Sequence, residues 1–346
     1  MLVSFIIPTY NANTTIVRCL DSIYTLGLSE QEFEVICIDD CSKDDTIAII
    51  EQYAKQHTNI RLLVQKENRR QGAARNRGVT IAKGRYIVFV DSDDAVTDGL
   101  VKAINIANEN DTDMTAYHYA HANENGVITS EADKLSFSIG QIFTGVNLQN
   151  KHPYWCSGPV AYIYNREFLL NTNYPFREGV LYEDSDFVAV HLYCAKRMTY
   201  SDELGYLAYY RYGSTTHSNN YKNLADYLLL GTRMLQFYNK ICSEINQNKE
   251  KDLGRIQFAD GILEGACFNI MKSIRRLIKL NTIKEVCAFY NRIDERIDRR
   301  RLSANSLIHK YYWSRVTSIG LKHKFMTIVI LSLAMPIYRY YTRSNR

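Results

Sequence analysis

Hydrophobic and polar positions alternate between two periods along the first hundred residues. Val3–Ile7 is a short apolar run closed by Pro8, and Ile16, Leu20, Ile23 and Tyr24 then recur at helical spacing. Val35-Ile36-Cys37-Ile38 forms a second buried run. Ser42 followed by Asp45 resembles a capping box, and Ile47, Ile50 and Tyr53 supply the next helical face. Ile60–Val64 reads as a third strand and Gly72–Ala82 as a short helix of small residues that stops at Gly84. Tyr86–Val90 is a fourth strand that breaks off at Asp91. Strand–helix alternation of this kind predicts an α/β fold. A Rossmann-like, mostly parallel central sheet is flanked by helices on right-handed crossovers.

The pattern changes further along. Residues 123–151 are polar and bear Gly, Ser and Asn, as loops or strand edges do. Residues 153–221 are rich in Tyr and show no clear period. From residue 223 to 290 helical spacing returns, in Leu224, Tyr227 and Leu228, then Ile262, Ala266 and Ile270, then Ile274, Leu277 and Ile278. The expected organisation is therefore a domain over 1–221 and a helical C-terminal extension over 222–346.

Charge follows the same division. Residues 1–221 carry 19 Lys+Arg against 27 Asp+Glu, a balance of −8, and residues 222–346 carry 23 against 10, a balance of +13; together they give the net +5 of the 346-residue chain. An acidic part joined to a basic tail meets different partners at its two ends. The eight cysteines are scattered without a CxxC pair, as expected of free thiols in a reducing compartment. The opening Met1–Pro8 has no basic n-region, so it reads as a strand rather than a secretory signal.

In an open parallel sheet, ligands bind beyond the carboxyl ends of the strands. Strand one ends in Pro8-Thr9-Tyr10-Asn11, strand two in Asp39-Asp40-Cys41-Ser42 and strand four in Asp91-Ser92-Asp93-Asp94. Asp91 and Asp93, one residue apart at the end of a buried strand, are costly unless a cation neutralises them. Hard carboxylate oxygens suit Mg²⁺ or Mn²⁺, which usually also hold substrate phosphates. The bland alternative is that Asp93 or Asp94 caps the helix containing Leu100 and Val101.

Taken together, Ser4–Asn11, Ile38–Asp44, Gly72–Gly78 and Phe89–Asp94 resemble the motifs of the family 2 glycosyltransferases with the GT-A fold, in order and at the family's spacing. The match covers residues 1–100 closely and extends more loosely to about 220. The resemblance implies an inverting, metal-dependent transfer from a nucleotide sugar, a UDP-sugar first, with Mn²⁺ or Mg²⁺ as cofactor. It implies donor binding by Pro8, Tyr10, Asp40, Arg75, Asp91, Ser92 and Arg211. Tyr10 offers a ring for stacking, Asp40 can accept from a base imide, and the Arg75 fork suits the nucleotide or its diphosphate. Asp39 is as readily structural as ligand-binding. Asp91 and Asp93 are the implied metal ligands, with His217 a candidate to complete the set. Cys41 stands where the family most often has Gly, which is expected to change the local loop geometry.

Tyr182-Glu183-Asp184-Ser185-Asp186 resembles the family's glutamate–aspartate motif. By that match Asp184 is the catalytic base that takes the acceptor hydroxyl proton. Glu183 supports it beside the acceptor and Asp186 serves as a helix cap. Trp155 falls where the family builds its acceptor pocket.

The tail carries an apolar stretch of about eleven residues, too short to span a bilayer, between basic and aromatic neighbours. Segment 322–343 therefore reads as a membrane-interface anchor. A helix packed on the domain, or a homodimer contact, is the other use of such a surface. The expected placement is cytoplasmic and peripheral on the cytoplasmic face of the inner membrane, with a glycan or lipid-linked acceptor. No nucleic-acid-binding fold is visible, so no nucleic-acid partner is expected. Two other classes compete. A sugar-nucleotide pyrophosphorylase would place a Gly-rich loop with a basic residue after strand one, where this chain has Pro8-Thr9-Tyr10-Asn11-Ala12. A lapsed nucleotide-sugar-binding protein would not need intact Asp91, Asp93 and Asp184.

Overall fold

The computed structural model describes residues 1–153, 158–210, 221–248 and 252–277. The chain divides into two compact units, Met1–Tyr212 and Gly213–Arg346.

The first unit is built on one mixed sheet. Its first half follows the sequence pattern: β1 (Val3–Thr9), α1 (Ile16–Tyr24), β2 (Phe33–Asp39), α2 (Thr46–Ala54), β3 (Ile60–Val64), α3 (Arg70–Ile81) and β4 (Tyr86–Phe89). These four strands run parallel in the order β3-β2-β1-β4. β1, β2 and β4 are buried on both faces, with alternate residues serving opposite sides, while β3 is a half-exposed edge. Val3, Phe5, Ile7, Val35 and Cys37 pack with Ile16, Cys19, Leu20 and Ile23 of α1 in one core cluster. Ile6 points the other way, onto α3, where a Cβ at Gly78 would collide with its side chain. Burial of each such side chain contributes roughly 1.5–3 kcal/mol.

The second half departs from a mostly parallel sheet. β5 (Ala95–Val96), α4 (Gly99–Asn110), β6 (Met114–Ala122) and β7 (Ile128–Glu131) are followed by α5 (Gly145–Lys151) and β8 (Tyr162–Asn165). Then come α6 (Arg166–Thr172), α7 (Glu183–Cys194) and β9 (Met198–Tyr209). The full order is β3-β2-β1-β4-β8-β6-β9-β5, with β7 on β6. β8 lies antiparallel to both β4 and β6, whereas β6 and β9 are parallel. The Tyr-rich stretch without a period is sheet core: Tyr162, Tyr164, Tyr200 and Tyr206 are all buried. Burial on both faces removes the alternation that would have marked these strands. Within 123–151 the structure has the exposed edge strand β7 and the helix α5, whose Thr144 and Asn147 form a capping box.

The second unit is described through α8 (Tyr221–Asn248) and α9 (Leu253–Leu277), which pack on each other. Gly231 of α8 lies so close to Ile270 and Ala266 that a Cβ would fall 2.6 Å from Ile270 Cγ1. Segment 322–343 lies outside the described residues. Among the described residues no helix is long and apolar enough to cross a membrane. Cys19, Cys37, Cys41, Cys194 and Cys242 are free thiols.

Candidate active site

The ends of β1 and β2 are laced together by side chains. Asn11 Oδ1 accepts from Lys43 N at 2.8 Å, Ser42 Oγ accepts from Asn11 N at 2.9 Å, and Thr46 Oγ1 accepts from Ala12 N at 2.7 Å. Pro8 is buried at this edge, and Tyr10 stands 47% exposed beside it with its ring open to a ligand. Asp39 is structural: its carboxylate accepts from Ser42 N, Ser42 Oγ and Thr9 Oγ1. The Ser42/Asp45 capping box does not form. Asp44 instead accepts from Thr46 N and Thr46 Oγ1 at the start of α2.

Asp40 is buried and organises the approach to α3. Its carboxylate accepts from Arg69 N at 2.7 Å, Arg70 N at 2.6 Å and Gln65 Nε2 at 2.8 Å. These bonds satisfy amides at the helix start that α3 cannot pair internally. Burial nonetheless raises its pKa, against the pull of those two amides. Cys41 takes φ of +70°, the region that favours glycine. Cysteine here holds a backbone conformation that glycine adopts more readily.

The acidic residues after β4 form a tight turn. Asp94 N donates to Asp91 O at 3.0 Å, and Asp91 N donates to Tyr206 Oη at 3.1 Å. Asp94 is buried rather than capping a helix. It accepts from Tyr206 Oη at 2.7 Å and from Tyr209 N at 2.8 Å. Burial and the nearby charges of Asp91 and Asp93 push its carboxyl well up. Asp91 and Asp93 stay partly exposed, as does Ser92 between them.

Arg75 joins this turn to the second acidic motif. The side chain is buried in α3. Nη2 donates to Asp91 Oδ1 at 2.7 Å and Nη1 to Glu183 Oε1 at 2.8 Å. The fork expected for a diphosphate is held here by two carboxylates of the protein. Gly72, one turn earlier, lets the segment leading to α7 come close, since a Cβ there would fall 2.5 Å from Arg177 O. Asn76 grips the same segment through Phe176, donating to its carbonyl at 2.8 Å and accepting from its amide at 2.9 Å. That clamp lies outside the sequence motifs' expected roles. An amide four residues after Gly72 on a small-residue helix was its only signal.

Tyr182 enters α7 with φ of 62° and Glu183 opens the helix. Burial pushes the Glu183 carboxyl up to about 7, against the pull of Arg75. One guanidinium faces Asp91, Glu183 and Asp184, so it cannot neutralise all three. Asp184 is partly exposed, and its pKa is also raised, first by desolvation and further by Asp91, while Arg75 opposes the shift. Asp186 is not a helix cap: it is buried and accepts from Tyr174 Oη at 2.7 Å. Trp155, Arg211 and His217 lie outside the described residues.

Comparison with known proteins bears on the family and the fold. Residues 4–169 match Glycosyl transferase family 2. Those residues carry that family's domain. The chain is 38% identical over 129 residues to a poly(ribitol-phosphate) beta-glucosyltransferase of Bacillus spizizenii, covering 37% of this chain and 20% of that one. It is 31% identical over 226 residues to the succinoglycan biosynthesis protein ExoO of Rhizobium meliloti, covering 61% of this chain and 62% of that one. The chain thus spans from a fifth to under two thirds of these relatives. Among solved structures, S. aureus TarS 1–349 in complex with UDP-GlcNAc superposes with a TM-score of 0.62 at 22% identity. That match covers 93% of this chain and 89% of that one. The first unit has the GT-A fold.

The donor set bears on a cation. Among the described residues no group of three or more His, Cys, Asp or Glu side chains gathers as metal ligands. Mg²⁺ needs no such cage, because one or two carboxylates with substrate phosphates and water complete its shell. Asp91 and Asp93, acidic, adjacent and partly exposed, fit that requirement.

Proposed function

We propose that the chain is a metal-dependent inverting glycosyltransferase. It moves a sugar from a nucleotide sugar, a UDP-sugar first, to a hydroxyl of a glycan or lipid-linked acceptor in surface polysaccharide biosynthesis. The observation that carries this reading is the Arg75 bridge. It brings the acidic turn after β4 and the start of α7 to one site.

In this reading Pro8, Tyr10 and Asp40 receive the nucleoside, with the exposed Tyr10 ring as a stacking face. Asp91 and Asp93 would hold Mn²⁺ or Mg²⁺, with His217 as a further candidate ligand, and Ser92 and Arg211 would meet the diphosphate. When bound, the cation would neutralise charge on the departing nucleoside diphosphate. Asp184 removes the proton from the acceptor hydroxyl, and that oxygen attacks the anomeric carbon from the face opposite the leaving group. One bond forms as the other breaks, so configuration inverts. Arg75 holds Glu183, fixing the first turn of α7 and thereby aiming Asp184. Trp155 and Glu183 would face the acceptor.

Peripheral attachment through segment 322–343, on the cytoplasmic face of the membrane, belongs to the same proposal and would bring the enzyme to a lipid-linked acceptor. A homodimer through the helical tail is the competing use of that segment.

The test is a donor screen. The purified chain with Mn²⁺ is offered UDP-, GDP- and dTDP-sugars, with thermal stabilisation and slow donor hydrolysis as readouts and EDTA as control. Stabilisation by one UDP-sugar that EDTA abolishes supports the reading. Silence across the panel with folded protein counts against it.

A further inference from the structure

Two contacts tie α1 to the acidic turn and a third to β5 directly after it. Arg18 Nη2 donates to Asp93 O at 2.5 Å, Cys19 Sγ lies 3.6 Å from Asp91 O, and Val96 N donates to Ser22 Oγ at 3.1 Å. Residues 18, 19 and 22 share one side of a helix, so α1 acts as a rail along which the turn is laid. Arg18 makes a further contact. Its guanidinium lies over the Tyr209 ring, 3.7 Å from the centroid. Tyr209 N in turn donates to Asp94 Oδ1, and Tyr206 of the same strand donates to Asp94 Oδ2. Arg18 therefore touches both sides of the loop: the carbonyl of one acidic residue and the aromatic residue whose amide holds its neighbour. A planar guanidinium can stack and donate together in this way.

We propose that Arg18 is a positioning residue for the donor site. By bonding the Asp93 carbonyl and stacking on Tyr209 it fixes the Asp91–Asp94 turn so that Asp91 and Asp93 meet the donor diphosphate in a single geometry. This rests on the proposed donor reading and adds a residue outside the family motifs. Arg18 touches no reacting atom. Its effect falls on donor and cation affinity rather than on the proton transfer by Asp184. Groups that orient a metal or phosphate ligand set from behind typically contribute tenfold or more to affinity.

The test compares Arg18→Met and Arg18→Lys with wild type by calorimetric titration of UDP, in Mn²⁺ and in EDTA. Steady-state kinetics and hydrogen exchange across residues 91–97 and 205–210 accompany it. For Arg18→Met the expected result is a roughly tenfold weaker UDP affinity in Mn²⁺, a raised KM for donor, kcat within threefold and faster exchange in those two segments. Arg18→Lys keeps one donor but not the flat stacking and recovers part of the affinity. Unchanged UDP affinity and KM in Arg18→Met, whatever happens to exchange or melting temperature, would overturn the assignment. A wild-type protein that binds UDP equally well in Mn²⁺ and EDTA would instead overturn the metal reading. Arg18 would then be judged by UDP affinity alone.

Discussion

Arg75 and Glu183, 108 positions apart in the chain, form a buried ion pair at 2.8 Å. The same guanidinium reaches Asp91 at 2.7 Å. One side chain of α3 therefore links the acidic turn after β4 to the first turn of α7, and its loss has a definite signature. Arg75→Met leaves two carboxylates without their cation. Breaking a buried pair from one side costs about 3–5 kcal/mol. Without Arg75 to oppose its burial, Glu183 binds its proton more strongly in the folded state than in the unfolded chain. Stability is retained at low pH and lost as pH rises. Chemical denaturation of Arg75→Met at pH 5.5 and pH 8 should show the larger deficit at pH 8. A deficit independent of pH would contradict the charge-based account.

The acidic limb of the pH–rate profile reports on the start of α7. Glu183 is pushed up to about 7 by burial, and Asp184 is raised as well. The two titrate as a pair, so the limb has a macroscopic midpoint. Activity should rise with pH as the pair loses its proton. Glu183→Gln removes a negative neighbour and leaves Arg75 more fully directed at Asp184. Its limb should move to lower pH. A limb that stays in place would separate Glu183 from the base.

His191 sets a second pH dependence, one of stability. Burial among Phe168, Phe187 and Tyr164 pushes its pKa down to about 4. Nδ1 lies 2.7 Å from Phe187 O, while Nε2 has no hydrogen-bond partner among the described residues. The unfolded chain binds this proton near 6.5 and the folded chain only near 4. The stability difference is fully present above 6.5 and is lost as pH falls toward 4. Its size is about 3 kcal/mol. Urea midpoints of wild type should fall across that window more steeply than those of His191→Phe.

Cys41→Gly should stabilise the fold by about 0.5–1 kcal/mol. Relief of the left-handed strain at φ +70° exceeds the added freedom of the unfolded chain. Thermal melting checks this directly, and a loss of stability would show that the Sγ contacts to Lys43 and Lys66 dominate.

The parallel half of the sheet was legible because each strand is a short apolar run separated by a helix with its own period. The second half was not. Tyr162, Tyr164, Tyr200 and Tyr206 are buried, and burial of both faces leaves no alternation to read. At the site, Asp40, Asp91, Asp93 and Asp184 were visible as acids at strand and helix ends. Their partners were not. Arg18, Tyr206 and Tyr209 act through contacts dozens of residues away in sequence, and nothing in their local pattern distinguishes them from ordinary surface or core residues; Asn76 lay within a recognised motif, but its partner Phe176 is 100 positions away. Cys41 shows the reverse case, in which the motif position dictates the backbone conformation and the side chain follows it.

The central claim is that Asp184 takes the acceptor proton while the donor is held independently by the β-strand ends. The most direct measurement is single-turnover sugar transfer by Asp184→Asn, with UDP affinity measured on the same preparation. Transfer should be slower by about 10²–10⁴-fold, with donor affinity within a factor of three. Transfer at the wild-type rate, or a loss explained wholly by failure to bind UDP, would contradict that claim.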